Sequence, residues 1–484
     1  MNTFIKKLSI YFTAVILSLV LFNETTNAKA PDFNGGVLNE YTYEEVFFLS
    51  GAPVKFSGKA TITEKENKNL ITTTYKFNLS NALGDKLTRS IVYVSTLEAF
   101  EDKGQTTSNT SVKSFSEKVT IGTDTYTLDD FQFSQASVSD NRPATDYYSG
   151  NIVGRKIYLK TSKGTGSSTN KETITVFING RDVGYKNFWG ATETQVMDYE
   201  INTRLGNAFI TSKVSDSKSK ILQYETHPPS LSSFVGGHTV INSSNMISEY
   251  TYDIPYAKIA SNKNGTINLN QEKVPTIERL IVPKFRDLSN HWAKDDIEKL
   301  YSLGIFDESS SFFSPNTPMK RYQFTIGVLR AVDLRVLEQP KNKKPPTKAI
   351  FSDLDPKDPD YIYIESAVEK GIINGVNPSK FAPNQPITRA QAVAILVRAL
   401  GLEGRAPSPG FKTNFADDNK IPAYAKESVY VATELGLING DEKNRFNPNQ
   451  SLTRAQSAAM IARFLNFLEN DLKQNYRDDM LFFD

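Results

Sequence analysis

The phrase Thr-Arg-Ala-Gln occurs twice in this chain of 484 residues, at Thr388-Arg389-Ala390-Gln391 and again 65 residues later at Thr453-Arg454-Ala455-Gln456. A looser version, Lys320-Arg321-Tyr322-Gln323, stands 68 residues before the first. Threonine followed three residues on by glutamine is a capping box. The hydroxyl accepts from a first-turn amide, and the glutamine side chain returns to the amide of the cap. Arginine directly after the cap opposes the helix macrodipole, which favours anions at a helix start. That same end gathers anions, however, and a guanidinium beside unpaired amides makes a planar, charged fork for one. An arginine that costs local stability in each copy marks Arg389 and Arg454, with Arg321 behind them, as candidate anion ligands. The structural alternative is that each arginine pairs with an aspartate of a neighbouring repeat, such as Asp353 or Asp417, and locks the array; both roles are compatible.

The elements that must position these arginines recur with them. Each repeat opens on Phe-x-Asp: Phe285-Arg286-Asp287, Phe351-Ser352-Asp353 and Phe415-Ala416-Asp417. A helix with an apolar face at a spacing of about 3.6 follows, carried by Ile297 and Leu300, by Ile364 and Ala367, and by Val429 and Ala432. It stops at Gly304, Gly371 or Gly436, since glycine suits the left-handed end of a helix. A loop with Phe313, Phe381-Ala382-Pro383 or Phe446-Asn447-Pro448 then leads into the second helix and its arginine.

The line F-x-D, W-A, G-I-x-x-G, F-x-P and T-R-A-Q resembles the S-layer homology motif in three copies, across roughly residues 284–470. The resemblance implies short helical hairpins in a pseudo-threefold arrangement with grooves between adjacent motifs. It implies non-covalent attachment to a secondary cell-wall polysaccharide of the Gram-positive wall, commonly one bearing pyruvate ketals, whose carboxylate suits the arginines. Carried over by position, the polysaccharide-binding residues are Arg389, Arg454 and Arg321, then Asp287 with Trp292, Asp417 with Tyr424, and the groove glycines Gly375 and Gly440. Repeat one departs most, because Gly304-Ile305-Phe306-Asp307 lacks the second glycine. Repeat two has no tryptophan and an irregular start at Asp358-Pro359-Asp360-Tyr361. One or two competent grooves are expected.

Before the array the period changes to two. Ile71 to Leu79, Ile91 to Ser95 and Ile157 to Thr161 alternate as half-buried strands do. Two short strands are expected around Gly122, a tight hairpin turn at Asn179-Gly180, a loop over residues 162–170, and a break at His227-Pro228-Pro229. Residues 31–280 thus read as a mainly-β, antiparallel, sandwich-like surface region of one or two modules. The chain as a whole is multidomain, with a C-terminal α-helical three-repeat part. Its motifs span 284–335, 350–402 and 414–468, followed by a tail over 469–484.

Lys6 and Lys7, the uncharged apolar run Leu8 to Phe22, and Ala28-Lys29-Ala30 have the three-part layout of a secretory signal over residues 1–30, cleaved after Ala30 or Ala28. That run is short for a bilayer span, so no membrane span remains after cleavage. Without Lys6, Lys7, Lys29 and Glu24, the 56 basic and 54 acidic residues come into balance. A neutral chain lacks the basic footprint of nucleic-acid binding. With no cysteine, thiolate metal sites and cysteine nucleophiles are excluded. His227 and His238 have no metal-ligand spacing, and Asp129-Asp130 shows no separation from which a glycosidase pair can be argued. Trp189 could stack on a sugar, though a core aromatic is the commoner role.

The reading is of a secreted, wall-anchored surface protein of the S-layer or associated with it. It is not an enzyme, calls for no cofactor or metal, and has self-association in a surface layer as a second candidate partner contact. The alternative is that the N-terminal half is an extracellular enzyme or a carbohydrate-binding or adhesin module.

Overall fold

The computed structural model describes residues 35–481 except 39–41, 101–103, 164–168, 226–236, 333–348 and 408–409. The signal-like segment and His227-Pro228-Pro229 therefore lie outside the described residues.

Alternating apolar side chains build one antiparallel sheet of fourteen described strands, from Val37–Leu38 to Thr276–Arg279. Each strand hydrogen-bonds the next in sequence, except that Thr276–Arg279 pairs back with Gly237–Asp253. The sheet curls until its ends meet. Ser248 Oγ donates to Gly35 O at 2.5 Å, and the Leu38 amide lies 3.3 Å from the Met246 sulfur. The result is nearly a barrel, with Tyr75, Ile91, Tyr93, Tyr126, Ile152 and Ile210 on its inner face.

Gly122 makes a turn at φ +56°, between Gln105–Ile121 and Asp124–Asn141. The expected hairpin at Asn179-Gly180 does not form. Both residues lie inside one strand, Thr169–Asn187, with Gly180 paired to Ile152 on one side and Met197 on the other. Asn-Gly favours a turn only when no partner strand claims its backbone, and here strands claim both edges. The glycine serves close packing instead: a Cβ at 180 would lie 2.4 Å from the Met197 sulfur.

The barrel interior also holds charge. Arg89 grips Glu45 with two bonds of 2.8 and 2.9 Å and Glu117 at 2.8 Å, and all three side chains are fully buried. Tyr158 donates to Glu117, and Lys156 lies 3.7 Å from it. Burial alone would raise the Glu117 carboxyl. Arg89, Lys156 and these hydrogen bonds override it and hold Glu117 at about 2. Four strands, Tyr43–Phe47, Lys86–Phe100, Gln105–Ile121 and Thr145–Lys163, are thereby tied to one another from inside.

The helical half follows. Helices α1 (Lys294–Ser302) and α2 (Arg321–Ala331) form repeat one, α3 (Tyr361–Glu369) and α4 (Arg389–Leu400) repeat two, α5 (Ala423–Glu434) and α6 (Arg454–Leu481) repeat three. The second helix of each repeat packs on the first helix of the next: α2 on α3, α4 on α5, and α6 back on α1. The ring closes at the backbone too. Ile387 N donates to Met319 O, Leu452 N to Ile387 O, and Met319 N to Leu452 O, at 2.9 to 3.0 Å. All three residues are buried, so each repeat supplies one segment to a central triangle.

The two halves share a core. Trp189, at the turn between Thr169–Asn187 and Gly190–Thr203, is fully buried among the helical residues. Asn187 Nδ2 donates to Leu468 O at 3.4 Å, and Pro143 and Arg142 pack against Gly401 at the end of α4. Trp189 is therefore a core aromatic, and its ring has no exposed face for a sugar.

Candidate functional site

The capping boxes form as their residue types require. Thr388 Oγ1 accepts from Gln391 N while Gln391 Oε1 accepts from Thr388 N, and Thr453 and Gln456 repeat the pattern. The next two amides of each helix are also taken. Arg389 N donates to Gln450 O and Ala390 N to Pro448 O; Arg321 N and Tyr322 N donate to Gln385 O and Pro383 O; Arg454 N and Ala455 N donate to Thr317 O and Pro315 O. At α4 and α6 the cap and the first three helical amides are thus all taken, whereas α2 starts without a side-chain cap. The first two amides of each helix bind its repeat to the loop of the next, so the guanidinium groups are the charged donors left to meet an anion.

Each guanidinium reaches into the neighbouring repeat and lies over its loop phenylalanine. Arg321 sits 4.9 Å from the Phe381 centroid, Arg389 5.2 Å from that of Phe446, and Arg454 4.5 Å from that of Phe313. Arg321 Nε donates to Phe381 O and its NH2 group to Asn374 O at 2.7 Å; the Arg389 NH2 group donates to Asn439 O at 2.5 Å. Burial lowers the Arg321 guanidinium from its usual value, and burial followed by nearby Arg463 lowers that of Arg389. Guanidinium nevertheless stays protonated in proteins.

The aspartates are not the partners of these arginines. Asp287 accepts from the amides of Phe313 and Ser314, Asp353 from Phe381 and Ala382, and Asp417 from Phe446 and Asn447, all within their own repeats. The second residue of each pair is left-handed, with φ of 58° at Ser314, 62° at Ala382 and 55° at Asn447. Non-glycine residues resist that conformation by about 1–2 kcal/mol, and the paired hydrogen bonds oppose the cost. Burial would raise the Asp287 and Asp353 carboxyls, but the loop amides hold both below their ordinary value. Asp353 therefore fixes the Phe381 loop whose carbonyl and ring receive Arg321.

A cleft of about 310 Å³ opens where the three repeats meet. Arg321 comes from α2, Asn374 to Val376 from the loop after α3, Gln391, Ala394, Ile395 and Arg398 from α4, and Tyr424 from α5. Gly375 lets this wall form, since a Cβ there would lie 2.4 Å from Asn377 O. Tyr424 is 50% exposed and offers a ring face at the rim. Arg398 is not among the candidates named from sequence, yet a readable signal exists: Arg330, Arg398 and Arg463 each follow a phrase arginine by nine residues.

The cleft brings together Arg321, Gly375 and Tyr424. The corresponding set around Arg389 is Asn439, Gly440, Gln456 and Arg463, with Trp292, in the turn just before α1, at 65% exposure and α1 packed on α6. Arg454 stands differently. Its NH2 group lies 2.5 Å from Glu308, and Arg330 is held by Asp307 at 2.9 Å and Asp360 at 2.8 Å. Asp287 and Asp417 lie beneath the loops and position them.

The family model of the S-layer homology domain matches residues 284–325, 350–393 and 414–458. The chain is 29% identical to an amylopullulanase of Thermoanaerobacterium thermosulfurigenes over 52% of its own length and 12% of the relative's. It is 33% identical to the exoglucanase XynX of Acetivibrio thermocellus over 38% of its length and 16% of that protein's. With the surface-layer 125 kDa protein of Lysinibacillus sphaericus it shares 30% identity, over 39% of its own length and 15% of the relative's. The chain thus spans under a fifth of the length of each of these relatives. The three motif matches, with relatives named as surface-layer and cell-surface proteins, support a cell-surface location anchored at the wall. Among the described residues no helix is long and apolar enough to cross a membrane.

Proposed function

We propose that the helical array attaches this chain to a secondary cell-wall polysaccharide by receiving an acidic substituent, such as a pyruvate ketal, in the Arg321 cleft and its Arg389 counterpart. The observation that carries this reading is the convergence of Arg321, Arg398, Gly375 and Tyr424, drawn from all three repeats, around one open cleft. A carboxylate entering it meets a guanidinium whose position is set on one side by Phe381 and Asn374 carbonyls. The tyrosine ring gives an apolar face to the sugar, and the glycine leaves backbone within reach. Charge-assisted hydrogen bonds of this kind contribute about 1.5–3 kcal/mol each.

The β-barrel half is then the displayed part, held against the anchor by Trp189. We assign it no catalytic role. The matches to relatives with enzyme names fall mostly on the anchoring array, and surface-layer assembly is the role suggested by relatives named for it.

The test is sedimentation of the purified chain with Gram-positive wall sacculi, before and after the secondary polymer is stripped by acid. Pelleting lost on stripping is the expected result. Equal pelleting on both preparations would refute the reading.

A further inference from the structure

The fourth residue after the helix-ending glycine is Gly375 in repeat two, Gly440 in repeat three and Glu308 in repeat one. At Gly375 no side chain fits. Repeat one reaches its loop phenylalanine, Phe313, one residue sooner than the others, and its differently routed loop has room for a carboxylate. That carboxylate lies against the arginine. The Arg454 NH2 group donates to Glu308 at 2.5 Å and its NH1 group at 3.4 Å, while Gln323 and Tyr301 donate to it from repeat one. Gln323 is the repeat-one counterpart of Gln391, which lines the open cleft. Among the described residues no carboxylate forms an ion pair with Arg321 or Arg389.

The second arginine follows suit. Arg398 of the open cleft has one ion pair among the described residues, with Glu403 just beyond its own helix, and also donates to the Tyr424 carbonyl. Arg330, its counterpart beside Glu308, is clamped between Asp307 and Asp360. Asp360 also marks the irregular helix start where repeat two lacks an aromatic equivalent to Trp292 or Tyr424.

We propose that the Arg454 groove is a self-occupied copy of the ligand site, in which the Glu308 carboxylate stands where a ligand carboxylate would bind. The proposal rests on the reading of the open clefts given above. It makes the groove latent: an outside anion must displace a tethered one whose local concentration is fixed by the fold. Glu308→Gly removes the tethered anion and restores the residue type of the other two repeats.

Isothermal titration with a methyl glycoside carrying a pyruvate ketal, on the full chain, counts the sites. Glu308→Gly is expected to bind one further equivalent per chain compared with the parent, and Arg454→Ala in that background to remove it. An unchanged count in a Glu308→Gly chain that keeps its cooperative melt overturns the proposal. No binding by the parent but binding by Glu308→Gly would sink the open-cleft reading while supporting the latent site. No binding by either would sink both. Should Glu308→Gly fail to fold, Glu308→Ala, which also removes the tethered carboxylate and vacates the groove, gives the same comparison.

Discussion

The amide of Met319 donates to the carbonyl of Leu452 at 2.9 Å, joining the start of the helical array to its end. With Ile387 completing the triangle, no repeat is terminal, and each has a neighbour on both sides. A linear array can lose an end repeat and keep the others folded; a closed one cannot. A chain ending at residue 402 lacks α5 and α6, uncovers α4 and leaves Met319 N without its acceptor. Circular dichroism of that chain should show loss of the cooperative helical melt, whereas a surviving helical transition at the parental temperature would contradict closure.

Arg321→Ala and Arg389→Ala together should weaken attachment to sacculi by at least about tenfold, the least expected from losing one charge-assisted contact. Arg454→Ala should leave attachment near the parental level, because its groove is already filled by Glu308. Titration of polymer binding for the three chains decides between these outcomes. Equal losses from all three arginines would mean that the grooves are equivalent.

Asp353→Ala should act at a distance. It frees the amides of Phe381 and Ala382 and leaves a left-handed residue unsupported, at a cost of about 1–3 kcal/mol. The Phe381 carbonyl and ring that hold Arg321 then lose their position. Reduced polymer affinity with a lowered melting temperature is expected, and Asp353→Asn should recover part of both.

Thr388 and Gln391 show how much was legible in sequence. A capping box is closed by residues three positions apart, so local chemistry alone identifies it. The helix-ending glycines and the alternation of the sheet were legible for the same reason. The partners of Arg389 N and Ala390 N were not, because Gln450 and Pro448 arrive from the next repeat and nothing near Arg389 signals them. Asn179-Gly180 misled in the opposite sense: its local preference is real, but pairing on both edges outweighs it. Glu308 was legible as a missing glycine, whereas its contact with Arg454 depends on ring closure.

Trp189→Ala should destabilise both halves together, by about 3–5 kcal/mol, since a large buried aromatic leaves a cavity that its surroundings refill only in part. Differential scanning calorimetry should show one transition in the parent and a lower, broadened or split one in the variant. An unchanged thermogram would show that the turn is not part of the helical core.

Stability should fall with acid for a definable reason. The carboxyls of Glu117, Asp287 and Asp353 are all held below their unfolded values, Glu117 at about 2 against a usual 4.5. The unfolded chain then binds more protons, so stability present above the ordinary carboxylate range is lost as pH drops through it toward 2. Urea midpoints measured downward from pH 6 should decline through this window. Glu117→Gln should flatten the decline while lowering the midpoint at pH 6, because it leaves Arg89 and Lys156 buried with less compensation.

The insertion of Trp189 into the helical core also has a mechanical meaning. A surface module on a slack tether swings freely, and a pull on it first straightens the tether. Here a load on the strand ending at Asn187 passes through the indole and the Asn187–Leu468 contact into the helices themselves. Force on the barrel is thus delivered to the folded helices at a packed joint, as at a mortise, and not to a free length of chain.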